Sequence, residues 1–218
     1  MDAIKIAFDE WNLRYWHHPW HGDLRRGFEI EARDKNDINS TYTMADALFS
    51  ACFLNSCLRN ASDVEIACFS PIVNTRGAIF VHPKGIVRRT TFHVFSMYTN
   101  LLEKNIVPVT IASENLEANN QATPVIDGIL TSDAAGKRYV YAIVNKDPEK
   151  SRKVSIDLGG MPKLKGRKVK GMILQGSSTD DYNDIGTENR VKPEEKQYEV
   201  KDGTVTLPPH SLNFIFIE

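Results

Sequence analysis

Apolar and polar positions along this chain change their period near residue 105. Before it, short β-prone runs alternate with helical stripes, the pattern of βαβ units and a parallel sheet. The run Ile4-Lys5-Ile6-Ala7-Phe8 is short and apolar and stops at Asp9-Glu10. Residues 16–42 are rich in Trp, His, Asp and Arg without a period, which predicts a long loop. From Thr43 to Ala61 the positions Met44, Leu48, Ala51, Leu54, Leu58 and Ala61 step by three and four, one stripe of a helix. Thr43 followed by Asp46 makes a capping-box start, and Asn60 suits a left-handed terminator. Val64–Phe69 reads as a second strand closed by Ser70-Pro71, and Val87, Thr91, Phe95, Tyr98 and Leu102 space a second helix over 87–102. The β-branched Val87, Thr90 and Thr91 weaken that helix at its start.

After residue 105 the helical period disappears. Lys153–Leu158 alternates strictly, and Gly159-Gly160 then turns the chain. Tyr139–Val144 and Leu212–Ile217 are apolar on both faces, as central strands of a packed sandwich are. Asp202-Gly203 between Tyr198–Val200 and Thr204–Leu207 signals a hairpin. The polar stretch from Gly176 to Gln197 is too long for a simple connection and predicts a surface excursion. The fold expected is therefore α/β plus all-β.

Composition narrows the function. Lys plus Arg number 27 against 28 Asp plus Glu, a formal charge of -1, which gives no phosphate-tracking surface and argues against nucleic acid as a partner. No apolar run approaches the roughly 20 residues that cross a bilayer, so no membrane partner is expected. The three cysteines are too few and scattered for a disulfide framework or a zinc cage, and they are compatible with a reducing, cytoplasmic interior without demanding it, which leaves the compartment open. Cys52 and Cys57 fall on the first helix as small hydrophobes.

Chemistry concentrates at Asp9-Glu10-Trp11-Asn12. A carboxylate at the C-terminal end of an apolar strand is where barrel enzymes place catalytic groups, although a strand-end Asp-Glu pair is also a common solvated turn. Trp11, Tyr15, Trp16 and Trp20 supply flat faces of the kind that suit a sugar ring. His17, His18 and His21 cluster in the loop without the spacing of a zinc peptidase or a completing Cys or carboxylate, so a solvated or sugar-facing loop is the simpler reading. Arg88-Arg89 reads as packing and surface pairing, with anion binding near a helix start as the alternative.

The run Ile6-Ala7-Phe8-Asp9-Glu10-Trp11-Asn12-Leu13 resembles the nucleophile segment of glycoside hydrolase family 51, the α-L-arabinofuranosidases. The resemblance continues in order through Tyr42–Leu48, Phe53-Leu54-Asn55, Val73-Asn74-Thr75-Arg76-Gly77 and Arg88–Phe95. It ends at Leu207-Pro208-Pro209-His210-Ser211-Leu212, which looks like the closing strand of that family's sandwich. The resemblance implies that residues 1–105 are the last βα units of a (β/α)8 barrel and 106–218 an antiparallel β-sandwich. It implies a retaining mechanism with two carboxylates about 5 Å apart, Glu10 on the nucleophile position and no cofactor. Trp11, Asn12 and Arg14 fall on the wall of the arabinose subsite, and Asp9 is expected to face the barrel wall. The acid/base glutamate of the family lies on an earlier barrel strand, and only nine residues precede Glu10 here. The chain is thus expected to be the C-terminal portion of a longer enzyme, inactive alone. The family's tryptophan two positions after Asn12 is Arg14 here, and its glutamine near the end of the last barrel strand is Pro71, which leaves the exact furanoside open. The partner expected is an arabinofuranosyl carbohydrate, and exposed strand edges call for the missing barrel half or self-association. The other reading, from a different class, is a non-catalytic β-sandwich module with a structural or carbohydrate-contacting role.

Overall fold

The computed structural model describes residues 4–13, 39–69, 71–156, 168–201 and 203–217. The chain divides into two compact units, one of residues 1–95 with 179–192 and one of residues 96–178 with 193–218.

The first unit opens with β1 (Ile6–Phe8), a 3-10 turn at Asn39–Thr41, α1 (Met44–Arg59) and β2 (Val64–Ala67). β1 and β2 pair in parallel, with Ala7 opposite Ile66 and Phe8 opposite Ala67, so β1, α1 and β2 form the expected crossover. Asp46 accepts hydrogen bonds from the Thr43 backbone N–H (2.8 Å) and hydroxyl (3.1 Å), as the capping pattern predicts. Asn60 ends the helix differently from expectation: its φ is -109°, and its side-chain amide donates to Ser56 O at 2.8 Å. A side chain able to cap the last turn makes the left-handed residue unnecessary. Cys57 is buried, and desolvation raises its thiol pKa, as befits a small hydrophobe.

β3 (Ile79–His82) and β4 (Gly85–Arg88) form an antiparallel hairpin turned at Pro83-Lys84, with Phe80 opposite Val87. The second helix, α2, consequently runs over Thr90–Leu101 and does not start at Val87. Val87 and Arg88 take the extended conformation their β-branched neighbourhood favours and spend their backbone groups on the hairpin.

Residues 179–192 are an excursion that belongs to this first unit. The Asp181 and Thr179 carbonyls accept from the Met44 (2.8 Å) and Ala45 (3.0 Å) N–H groups, two of the orphan donors of the α1 N-terminus. Asn183 donates to the Arg88 and Val191 carbonyls, both at 2.8 Å.

The second unit is built on a six-stranded sheet in the order β12-β11-β14-β9-β8-β5. Its strands are β5 (Asn105–Val107), β8 (Ile126–Ser132), β9 (Tyr139–Asn145), β11 (Lys168–Gln175), β12 (Pro193–Glu199) and β14 (Ser211–Ile217). β9 and β14 lie side by side with Phe214 opposite Ala142, both strands nearly fully buried, as their two-faced apolarity predicts. β6 (Asn115–Ala118) and β7 (Gln121–Pro124) make a small hairpin whose turn residues Asn119 and Asn120 are both left-handed (φ 52° and 61°). β10 (Arg152–Ser155) pairs with β13 (Thr204–Leu207), and Val205 and Leu207 share one core with Ile143, Tyr198 and Ile215 of the six-stranded sheet. Two sheets contributing to one core are consistent with a β-sandwich.

Asp202 of the expected hairpin lies outside the described residues, and the strand pairing around it is one bridge, Lys201 to Thr204. β12 pairs with β11 and β13 with β10, so the chain changes sheet at this corner instead of folding back on its own ladder. Gly171 is obligatory in β11, because a Cβ there would overlap the Phe214 carbonyl oxygen. Buried polar groups along β14 satisfy one another: Tyr198 donates to Asn213 Oδ1 (2.9 Å), and Asn213 donates to Ser211 Oγ (2.8 Å). His210 sits with its two ring nitrogens 2.8 and 3.0 Å from the Pro148 and Gly176 carbonyl oxygens.

Candidate functional site

Because β1 and β2 run parallel, their C-terminal ends open on the same side. Open and barrel α/β architectures put their chemistry there. Glu10 follows β1 by two residues, and the segment 72–78 follows β2. Arg76, from that second segment, brings Nη2 to 3.9 Å from Glu10 Oε1. The Glu10 side chain is 63% exposed and that of Arg76 15%. The pair is too long for a hydrogen bond and acts by charge.

Trp11, the neighbour of Glu10, is 9% exposed. Its ring stacks on Phe53 at 4.2 Å and meets Phe69 edge-on at 5.3 Å, with Phe95 at 5.7 Å. Three segments thus converge on the indole of the β1 loop: the loop after β2 and the helices α1 and α2. Aromatic pairs of this geometry add about 0.5–1.5 kcal/mol each beyond area burial, so the loop bearing Glu10 is anchored from beneath. The sequence suggested a sugar-facing wall for Trp11; its faces go instead to packing, and its Nε1 has no hydrogen-bond partner among the described residues. Asn12 is half-buried. Asp9, expected against a barrel wall, is exposed, since the described residues of this unit place no strand but β2 beside β1. Arg14, Tyr15, Trp16, Trp20 and the three loop histidines lie outside the described residues.

The segment that delivers Arg76 carries backbone strain. Asn74 (φ 55°) and Thr75 (φ 44°) are both left-handed. Asparagine tolerates this, but a β-branched threonine there is an outlier, of a kind that costs about 1–3 kcal/mol and persists only where surroundings impose it. Gly77 follows because a Cβ would fall 2.5 Å from the Ile72 carbonyl. The surroundings that impose the turn include Arg89, fully buried at the end of the β3–β4 hairpin. Its Nη1 donates to the Thr75 (2.9 Å) and Gly77 (2.8 Å) carbonyls, and its Nε donates to Asn39 Oδ1 (2.8 Å). The guanidinium lies 3.9 Å from the Tyr42 ring centre, and the Tyr42 hydroxyl also donates to Thr75 O (2.6 Å). Arg88, by contrast, is exposed, 5.2 Å over the Phe92 ring.

Sequence reading gave Arg89 a packing role and gave Arg76 none. The signal available was the Asn-Thr-Arg-Gly turn, which marks a left-handed segment but not what its arginine faces.

A separate groove of about 890 Å3 lies in the second unit, walled by Val107, Val109, Ile111, Leu130, Val154 and Ile156 among others. Tyr141 is the one aromatic side chain on its wall among the described residues, and Arg152 sits at the groove between Asp147 and Glu114, 2.5 Å from each. Among the described residues, no group of three or more His, Cys, Asp or Glu is placed to hold a metal ion.

The profile of the α-L-arabinofuranosidase C-terminal domain matches residues 9–211, and the chain belongs to that family. It is 26% identical to an intracellular exo-α-L-arabinofuranosidase of Bacteroides ovatus, over 96% of this chain and 38% of the relative. It is also 26% identical to an intracellular exo-α-(1→5)-L-arabinofuranosidase of Bifidobacterium longum, over 99% of this chain and 41% of the relative. The chain thus spans about two fifths of the curated relatives it matches and corresponds to their C-terminal portion. Its fold is similar to part of the α-L-arabinofuranosidase of Thermotoga maritima, with a TM-score of 0.79 and 23% identity over 98% of this chain and 43% of that one. A family 51 α-L-arabinofuranosidase of Bifidobacterium longum gives a TM-score of 0.80 at 22% identity, over 100% and 44%.

Proposed function

We propose that this chain supplies the nucleophile of a retaining α-L-arabinofuranosidase, with residues 1–105 closing a (β/α)8 barrel and 106–218, apart from the 179–192 excursion, forming the sandwich. The observation that carries the reading is Glu10 at the C-terminal end of β1, faced by Arg76 from the end of the adjacent parallel strand.

In the proposed reaction the Glu10 carboxylate attacks the anomeric carbon as the bond to the leaving oxygen breaks, giving an arabinosyl ester that water then hydrolyses. Asn12 and Arg14 line the arabinose subsite, with Trp11 as its packed floor. The acid/base carboxylate, which must stand about 5 Å from the nucleophile, comes from a different stretch of polypeptide, and without it departure of a poor leaving group is slow. Ile4 just before β1, Ile6 on β1 and Ile66 on β2 stand exposed, and we infer that further strands of a barrel, or a second copy of this chain, cover them. Terminal arabinofuranosyl residues as substrate and an intracellular setting are what those relatives are named for, and we take plant oligo- or polysaccharides as the source of such residues.

The test uses an aryl α-L-arabinofuranoside whose phenol is acidic enough to leave without protonation. The chain should release roughly one equivalent of phenol and carry one arabinosyl ester, mapped to Glu10 by peptide mass spectrometry and lost in Glu10→Gln. Turnover by the chain alone at ordinary glycosidase rates, about 1–1000 per second, would overturn the separate acid/base. Absence of any ester, with or without binding of arabino-oligosaccharide, would overturn the nucleophile and leave a carbohydrate-contacting module.

A further inference from the structure

We propose that Arg89 is a buried positioning residue that, through the strained turn Asn74–Gly77, holds Arg76 against Glu10. The proposal rests on the reading of Glu10 as nucleophile and goes beyond it by assigning the charge that orients the carboxylate.

Three observations converge. The two carbonyls that Arg89 Nη1 engages belong to Thr75 and Gly77, the residues on either side of Arg76. A single buried guanidinium therefore fixes the peptide units flanking Arg76. Arg89 is itself fixed from two further directions, by Asn39 Oδ1 on its Nε and by the Tyr42 ring, whose hydroxyl reaches the same Thr75 carbonyl. Finally, Thr75 at φ 44° is sterically disfavoured, and the Arg89 bonds act beside the turn's own hydrogen bonds (Gly77 N–H to Asn74 O at 2.6 Å, Val81 N–H to Asn74 Oδ1 at 2.7 Å) to keep it left-handed. Strain held in part by a buried charge, at a turn whose Arg76 faces the carboxylate, fits a positioned group better than generic packing.

Lysine cannot replace Arg89. Its ammonium has three donors on one atom and no planar fork to span Asn39 and the two carbonyls. For Arg76 the requirement is weaker: at 3.9 Å from Glu10 Oε1 it acts by charge, so lysine should serve in part.

The experiment has two arms on the full chain. In the first, side-chain N–H spectra are recorded on nitrogen-15-labelled protein, with the Arg76 Nε–H signal identified by its loss in Arg76→Gln. Glu10→Gln, Thr75→Gly and Arg89→Met should each shift that signal, while resonances of the six-stranded sheet stay in place. In the second, the rate of Glu10 esterification is measured at saturating aryl arabinofuranoside. Arg76→Gln should slow it about tenfold, as loss of a group that orients a reacting atom does. Arg76→Lys should recover part of the rate, and Thr75→Gly should slow esterification while keeping or raising stability, since glycine removes the strain. That last split separates positioning from mere structure, and it remains readable if Arg89→Met does not fold. An Arg76 signal indifferent to Glu10→Gln, or undiminished esterification in Arg76→Gln, overturns the proposal and leaves the nucleophile assignment standing. If the native chain forms no ester, the nucleophile reading fails, and the spectra alone decide whether Arg89 places Arg76 at Glu10.

Discussion

β1 and β9 are both apolar strands by sequence, yet one is largely exposed and the other nearly fully buried. Ile4, just before β1, is 94% exposed and Ile66 of the adjoining β2 is 49% exposed, whereas Ile143 and Val144 of β9 are fully buried. The difference lies in their neighbours. β9 is flanked by β8 and β14 and faces a core that includes β13, while β1 pairs only with β2 among the described residues. An apolar strand states a need for cover; the sheet around it decides whether the need is met. The small parallel unit compensates through its aromatic cluster on Trp11, which fastens strand ends and helices without a wide sheet.

The largest test of this contrast is Phe214→Ala. Phe214 is fully buried in β14, edge-on to Tyr98 at 5.4 Å. Its truncation should cost about 4 kcal/mol by urea unfolding, and a loss under about 1 kcal/mol would show that the large sheet is not the stable part.

Next comes acid sensitivity of the smaller unit. His93 is buried on α2, and desolvation first, then the Arg88 charge, lowers its pKa from 6.5 to about 4. A base whose folded pKa is depressed stabilises fully above its unfolded value and loses that contribution as pH falls toward the folded one. Stability should therefore drop by up to about 3 kcal/mol between pH 6.5 and 4. His93→Phe should flatten that limb, and an unchanged limb would assign the acid sensitivity to other groups.

Asp46→Ala removes the acceptor of the Thr43 N–H and hydroxyl and should cost about 1 kcal/mol. The effect should be the smaller because the Thr179 and Asp181 carbonyls still hold the next two donors. The least effect is expected at Ile66, where threonine should change stability by under about 0.5 kcal/mol. Light scattering on the same variant should show less self-association than the native chain, which would sharpen the reading that this face wants cover.

Local sequence was enough for much of this fold. The stripe from Met44, the Thr43–Asp46 cap and the two-faced apolarity of Tyr139–Val144 and Leu212–Ile217 depend on neighbours a few residues away, so they were legible. Val87-Arg88 was not, because β-branched residues ahead of a helix serve equally as its first turn or as a hairpin strand, and pairing with Ile79-Phe80 chose the latter. The same holds at Asp202-Gly203, where the turn chemistry was visible but not the sheet each arm joins.

At the site, sequence alone set which carboxylate ends the first apolar strand and that aromatic residues surround it. Only the tertiary structure decided that Trp11 packs under that carboxylate, that residues 179–192 serve the N-terminus of α1, and that Arg89 grips the two peptides around Arg76. These contacts join residues from 12 to well over a hundred positions apart, and no local period or motif encodes a hydrogen bond that exists only once distant backbone carbonyls are brought together.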